Sequence, residues 1–224
     1  MNDLAPSVTQ AKESTMNYDT DVLILGAGPV GKTLANELTR HGVKPRIVDT
    51  APGIREVSKA MIVHVRTQEM LDKVGIADRL LAEAQPLTEV VVQAYGKHVG
   101  AWDLDDIDSP YKHPLIIGQN RTQHLLLDLL QSRGVAVGWN TEGVSFEMTP
   151  DGVTTKLKHT DPSTHAVTEE TVRSHYIVGC DGANSIVRRS LDFTFEGERY
   201  SGEQFIQADC RIKWHCPRAA PTCS

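Results

Sequence analysis

The hexapeptide Gly26-Ala27-Gly28-Pro29-Val30-Gly31 fits the pattern G-x-G-x-x-G. Such a hexapeptide says little until its flanks are known. Here it follows TDVLIL, an apolar run of strand length. It precedes Val30, Leu34, Ala35 and Leu38, which recur at helical spacing. In that setting Gly26 permits a tight turn, Gly28 lets the backbone approach a pyrophosphate, and Gly31 lets the helix pack against the strand. The helix start then offers N–H groups and positive partial charge to phosphate oxygens. A second strand, Val43 to Asp49, ends on a carboxylate 18 residues beyond Gly31. An acid about 20 residues on accepts hydrogen bonds from the adenosine ribose, and it would repel a 2′-phosphate. The pattern predicts a site for FAD or NAD rather than NADP. The bland alternative, a glycine turn with a chance acid, must account for strand, helix and acid together. Lys32 stands where such a helix usually carries an apolar residue, and is expected on its solvent side.

To hold these residues the chain needs a strand–turn–helix–strand unit, and hence a right-handed crossover in a parallel sheet. Gly42, after His41, ends the first helix. Residues 66–84 read as helical, with Gly75 dividing them in two. From Leu87 to Leu104 the pattern alternates as strands do, with a turn near Gly96 to His98, so a hairpin is predicted. The acidic stretch Asp103 to Asp108 reads as a solvated loop. Ile116-Ile117-Gly118 leads into a helix from about Thr122 to Ser132, closed by Gly134. Strands follow at Val135 to Val137, Val144 to Glu147 and Val153 to Leu157, the last two joined by a turn at Asp151-Gly152. A further buried strand, Tyr176 to Cys180, ends at Asp181-Gly182.

Composition narrows the partners. The chain has 224 residues, 40% hydrophobic and 23% charged, enough for one sizeable core or one domain with part of another. A net charge of −6 gives no reason to expect nucleic acid or an anionic membrane surface. No run approaches the roughly 18 apolar residues of a membrane span. The first 17 residues lack the apolar core of a signal peptide and read as a flexible tail. The four cysteines contain no C-x-x-C pair, so no zinc site is expected and reduced thiols are the default. A soluble cytoplasmic protein is the expectation. No Ser-His-Asp or metal constellation is apparent. His64 and Arg66 fall near the expected site without an evident role. His98, His113 and His124 read as loop or surface residues, and Trp102 as packing.

FAD and NAD are separated by a resemblance. Cys180-Asp181-Gly182-Ala183-Asn184-Ser185-Ile186-Val187-Arg188 resembles the D-G motif of flavin-dependent aromatic hydroxylases, the single-component FAD monooxygenases of the p-hydroxybenzoate hydroxylase type. TDVLILGAGPVGKTLANEL, SKAMIVHVRTQEMLDKVGIADRL and GQNRTQHLLLDLL agree with it in order, from about residue 18 to about 213. Within the family the likeness is to phenol-type hydroxylases. It implies an α/β fold: a Rossmann-like FAD-binding domain of the glutathione reductase type over residues 18–190, with a hairpin insertion near 87–105. Residues 191–224 would be the start of a β-rich substrate domain and an irregular tail.

The resemblance also implies roles. Gly26, Ala27, Gly28, Pro29, Val30 and Gly31 would line the ADP pyrophosphate, and Asp49 the ribose. Lys59 would lie near the flavin and its phosphates, where the family often has an arginine; it keeps the charge but loses the planar fork. Gln119 would meet FAD. Asp181 and Arg188 would serve FAD and the nicotinamide co-substrate. The implied activity is hydroxylation of a small phenolic ring with NAD(P)H and O2. The flavin carries that chemistry, so no catalytic acid or base is assigned. The resemblance further implies a second flavin motif, a Gly-Asp pair opening a later helix. None follows residue 190, and the last ten residues have two prolines and no periodicity. The expectation is an N-terminal portion with impaired activity that self-associates. An NAD-dependent oxidoreductase and a non-catalytic FAD-binding fragment are the alternatives.

Overall fold

The computed structural model describes residues 17–56, 60–104, 107–197 and 202. Strand β1 (Thr20–Leu25) leads through the glycine turn into helix α1 (Pro29–Arg40) and strand β2 (Pro45–Val48). Then come β3 (Ile62–Val63), α2 (Val65–Val74), α3 (Ala77–Glu83) and β4 (Gln85–Pro86). The hairpin follows as β5 (Glu89–Ala94) and β6 (Lys97–Asp103). Next are β7 (Leu115–Ile116), α4 (Gln119–Ser132), β8 (Val137–Gly138), β9 (Thr141–Thr149), β10 (Gly152–Thr160) and β11 (Val167–Gly179). A short 3₁₀ turn at Gly182–Asn184 precedes α5 (Ile186–Ser190).

The main sheet has the order β8-β2-β1-β11-β10-β9. Its first four strands are parallel, while β10 and β9 run antiparallel, so the expected parallel sheet carries an antiparallel edge. β1 lies inside it and is covered on both faces. Val22 and Ile24 join Ala35, Ile47 and Leu130 under α1 and α4; Leu23 and Leu25 join Leu157, Val172 and Val187 on the other side. This is why its sequence is a continuous apolar run rather than an alternation. A third cluster, including Leu71, Ile76, Leu80, Leu115 and Leu125, packs α2, α3 and α4 over the small antiparallel sheet β3-β7-β4.

Several boundaries differ from expectation. β11 extends back to Val167, because its first half pairs with β10 even where its residues are exposed and polar. α4 starts at Gln119, one turn early, capped by Gly118. Gly75 does divide the 66–84 helix, with a φ of 101° that a side chain would strain. The hairpin turn sits at Tyr95-Gly96, both at positive φ as a two-residue primed turn requires, rather than at Gly96 to His98. Trp102 is exposed on that hairpin, not packed.

Candidate functional site

The C-terminal ends of three neighbouring strands meet at one edge of the sheet. Leu25 of β1 lies beside Val48 of β2 and Gly179 of β11. Just beyond, Gly26 donates to the Val48 carbonyl at 2.8 Å, Cys180 donates to Leu25 at 2.7 Å, and Asp49 donates to Gly138 at 3.0 Å. The glycine turn, Asp49 and the Asp181-Gly182 turn therefore sit side by side, though they are far apart in sequence. In open α/β sheets this edge is where ligands bind.

The three glycines of the turn do different work. Gly26 has a φ of 102°, and a Cβ there would come within 2.3 Å of the Cys180 carbonyl oxygen. At Gly31 a Cβ would lie 1.9 Å from the Gly26 carbonyl oxygen. Both are forced by the protein's own packing. At Gly28 a Cβ would meet nothing within 4 Å. That open space lies at the cap of α1, whose first turn holds no acidic residue and begins with a proline. Val30 is exposed there and Gly28 and Pro29 are half-buried, while Ala27 and Gly31 are buried. Open space beside the backbone, with uncompensated helix-start charge, suits a diphosphate.

Asp49 is half-buried and fixes the turn from below. Its Oδ2 accepts from the Ala27 N–H at 2.6 Å and its Oδ1 from the Ala51 N–H at 2.8 Å. Each oxygen retains a lone pair that can accept from a ligand hydroxyl.

Lys32 is not on the solvent side. It is fully buried beneath the turn, where its Nζ donates to the Ala27 carbonyl and to Gln123 Oε1 at 3.2 Å. It also lies 5.4 Å from the centre of the Trp139 ring. Burial pulls its pKa down to about 8, partly offset by the nearby Asp49 carboxylate. Lys32, Ala35 and Asn36 form the buried stripe of α1. The helical spacing of that stripe was the signal that could have located Lys32; its charge argued the other way.

Helix α4 runs alongside α1 in the same direction. Lys32 meets Gln123, and one turn on Asn36 donates to the Leu126 carbonyl at 2.9 Å. This brings Gln119, half-buried in the first turn of α4, to the same end as the glycine turn. The Gln119 N–H donates to Ala60 and the Ile117 N–H to Met61, tying the chain just after Lys59 to this edge. Lys59 itself lies outside the described residues.

The Asp181-to-Arg188 segment closes on itself. Asp181 Oδ2 accepts from the Ile186 N–H at 2.7 Å, while its buried Oδ1 has no hydrogen-bond partner among the described residues. Ser185 caps α5 by accepting from the Arg188 N–H at 3.1 Å. The Arg188 side chain donates to the Ala183 carbonyl at 2.8 Å and lies over Phe195, 4.6 Å from the ring centre. Its role within this chain is thus first to hold the loop. The Cys180 thiol is half-buried between the two motifs, and burial raises its pKa. His64 and Arg66 lie at the exposed start of α2, Arg66 paired with Glu69. No cluster of metal ligands exists among the described residues, and no helix of those residues is long and apolar enough to cross a membrane.

A mixed sheet with a dinucleotide turn at its carboxyl edge defines a nucleotide-binding domain, and comparison identifies which. Residues 19–211 match the family model described as the FAD binding domain, and the chain belongs to that family. It is 35% identical over 190 residues to 6-methylpretetramide 4-monooxygenase of Streptomyces rimosus, an alignment covering 84% of this chain and 33% of that protein. It is 30% identical over 197 residues to pentachlorophenol 4-monooxygenase of Sphingobium chlorophenolicum, covering 87% and 36%. Among solved structures it resembles a flavin-dependent monooxygenase in complex with FAD and substrate. The TM-score is 0.72 at 30% identity, over 81% of this chain and 34% of that one. The chain thus spans about a third of the length of these relatives.

Proposed function

We propose that this chain is the FAD-binding portion of an FAD-dependent monooxygenase that hydroxylates a small phenolic substrate with NAD(P)H and O2. The convergence of the glycine turn, Asp49 and Asp181-Gly182 on one sheet edge carries this reading, with the open space at Gly28 supporting it. The backbone of Gly26, Ala27, Gly28, Pro29, Val30 and Gly31 would hold the pyrophosphate, and Asp49 would accept from the adenosine ribose. Gln119 and Lys59 would approach the cofactor from the start of α4 and the segment before Ala60. Asp181 and Arg188 would order the loop that borders it. When bound, the flavin supplies the redox chemistry. The residues of this chain bind it, orient it and position its phosphates. The monooxygenase names of the relatives support the reaction class, and pentachlorophenol 4-monooxygenase supports a phenolic ring.

The test is to purify the chain, record its visible spectrum with FAD, and follow NADPH and NADH oxidation with a panel of phenols. Bound flavin is expected, with weak or no turnover, since the relatives use about twice as much further chain. Robust substrate-dependent oxidation with stoichiometric hydroxylated product would overturn the impaired-activity part. Tight NAD binding without flavin binding would overturn the cofactor.

A further inference from the structure

The buried ammonium of Lys32 has no place in the reading above. It is one of the largest fully buried side chains of the structure, in the first turns of α1. Burying a charge is costly unless the charge is paired and hydrogen-bonded, so what Lys32 bonds matters. Its partner is specific. The Ala27 carbonyl that it bonds belongs to the same peptide group as the Gly28 N–H. On the other side, the Ala27 N–H is held by Asp49 Oδ2 at 2.6 Å. The Gly28 N–H, in contrast, makes no hydrogen bond among the described residues. A cation on a carbonyl polarises its amide and strengthens the N–H as a donor.

We propose that Lys32 is a charge-bearing positioning residue of the dinucleotide turn, which polarises the Ala27–Gly28 peptide toward the diphosphate and couples FAD affinity to its own protonation. This rests on FAD as the cofactor. The charged group facing Lys32 is Asp49 at the end of β2; α4 presents the neutral Gln123, and the β8–β9 link presents Trp139. The free ammonium loses its proton near 10.5, the buried one near 8. Between these values the unfolded chain binds more protons than the folded one. The parent should therefore gain stability relative to an uncharged variant as pH rises from about 8 toward 10.5.

The experiment measures FAD dissociation constants by flavin fluorescence, at pH 6.5 and pH 9, for the parent, Lys32→Met and Lys32→Arg. A charge-assisted contact is worth about tenfold over a neutral one, so the parent, with about a tenth of its Lys32 still charged at pH 9, should lose about fivefold in affinity across this range. Lys32→Met should be weakened about tenfold already at pH 6.5 and lose nothing further. Lys32→Arg, charged throughout, should keep its affinity at pH 9, and it carries the test alone if Lys32→Met does not fold. Equal pH dependence in all three proteins overturns the role of Lys32. A parent that binds no FAD at either pH overturns the cofactor assignment instead. Melting of the FAD-free parent and Lys32→Met across pH 7–10.5 gives a second readout; a gap independent of pH also counts against the coupling.

Discussion

At the scale of single residues, three glycines that look alike in sequence separate into two kinds. A side chain at Gly31 strikes the Gly26 carbonyl, whereas one at Gly28 meets open space. The backbone at Gly28, φ −69° and ψ −173°, suits any residue. Gly28→Val should therefore melt within a degree or two of the FAD-free parent yet purify colourless, because its bulk fills the space a diphosphate needs. Gly31→Ala should lose about 3 kcal/mol of stability whether or not FAD is present. Circular dichroism melts alongside visible spectra separate the two; a Gly28→Val protein as yellow as the parent contradicts the assignment. Asp49 combines both kinds of work. Asp49→Ala removes a charged acceptor from two backbone N–H groups, and should cost about 2 kcal/mol in urea unfolding of the FAD-free chain. A purely ligand-facing carboxylate would cost nothing there.

At the scale of elements, polar side chains fix how the helices meet. Arg133, at the end of α4, donates to the Asn36 carbonyl at 2.9 Å and to the Val74 carbonyl at 2.8 Å. It thus joins α1, α2 and α4 through carbonyls that water reaches poorly. Arg133→Ala should destabilise the chain by about 2 kcal/mol, and Arg133→Lys should recover only part, because one ammonium cannot span both acceptors as the guanidinium fork does. Chemical denaturation of the three proteins decides this. α5 has only five residues, and its cap is Ser185. Ser185→Ala should cost about 1 kcal/mol and speed amide exchange over residues 186–190. Because Arg188 lies on that helix, the same change should loosen the loop after Asp181. Unchanged exchange there would show that α5 is held by Val187 and its sheet contacts alone.

At the scale of the whole molecule, the β5–β6 hairpin pairs with neither of the other two sheets among the described residues. Val90 faces Trp102 across it, and Val90, Val91, Val92, Val99 and Trp102 are all exposed. Apolar strands with open edges seek partners. The chain should self-associate with rising concentration, as measured by size-exclusion chromatography with light scattering. Placing lysines at Val90 and Val92 should shift it toward monomer without altering FAD binding. A parent that stays monomeric at high concentration would show the hairpin to be tolerated by solvent.

The amino-acid sequence alone determined the strand–turn–helix unit, the acid that follows it, the division of the 66–84 helix at Gly75 and the kinship with FAD-binding hydroxylases. The first three are local patterns, imposed by neighbouring residues and backbone preferences; the kinship rests on resemblance of four motifs in order along the chain. What only the tertiary structure decided depends on partners distant in sequence. β11 continues through polar residues because β10 supplies its hydrogen bonds. Asp181 reaches the glycine turn because β11 lies beside β1. Lys32 is buried because α4 and Trp139 close over it, and no rule of composition places a lysine there. The glycine turn itself was legible from its spacing. Which of its glycines serves the fold and which leaves room for a ligand became clear only when the atoms around each were known.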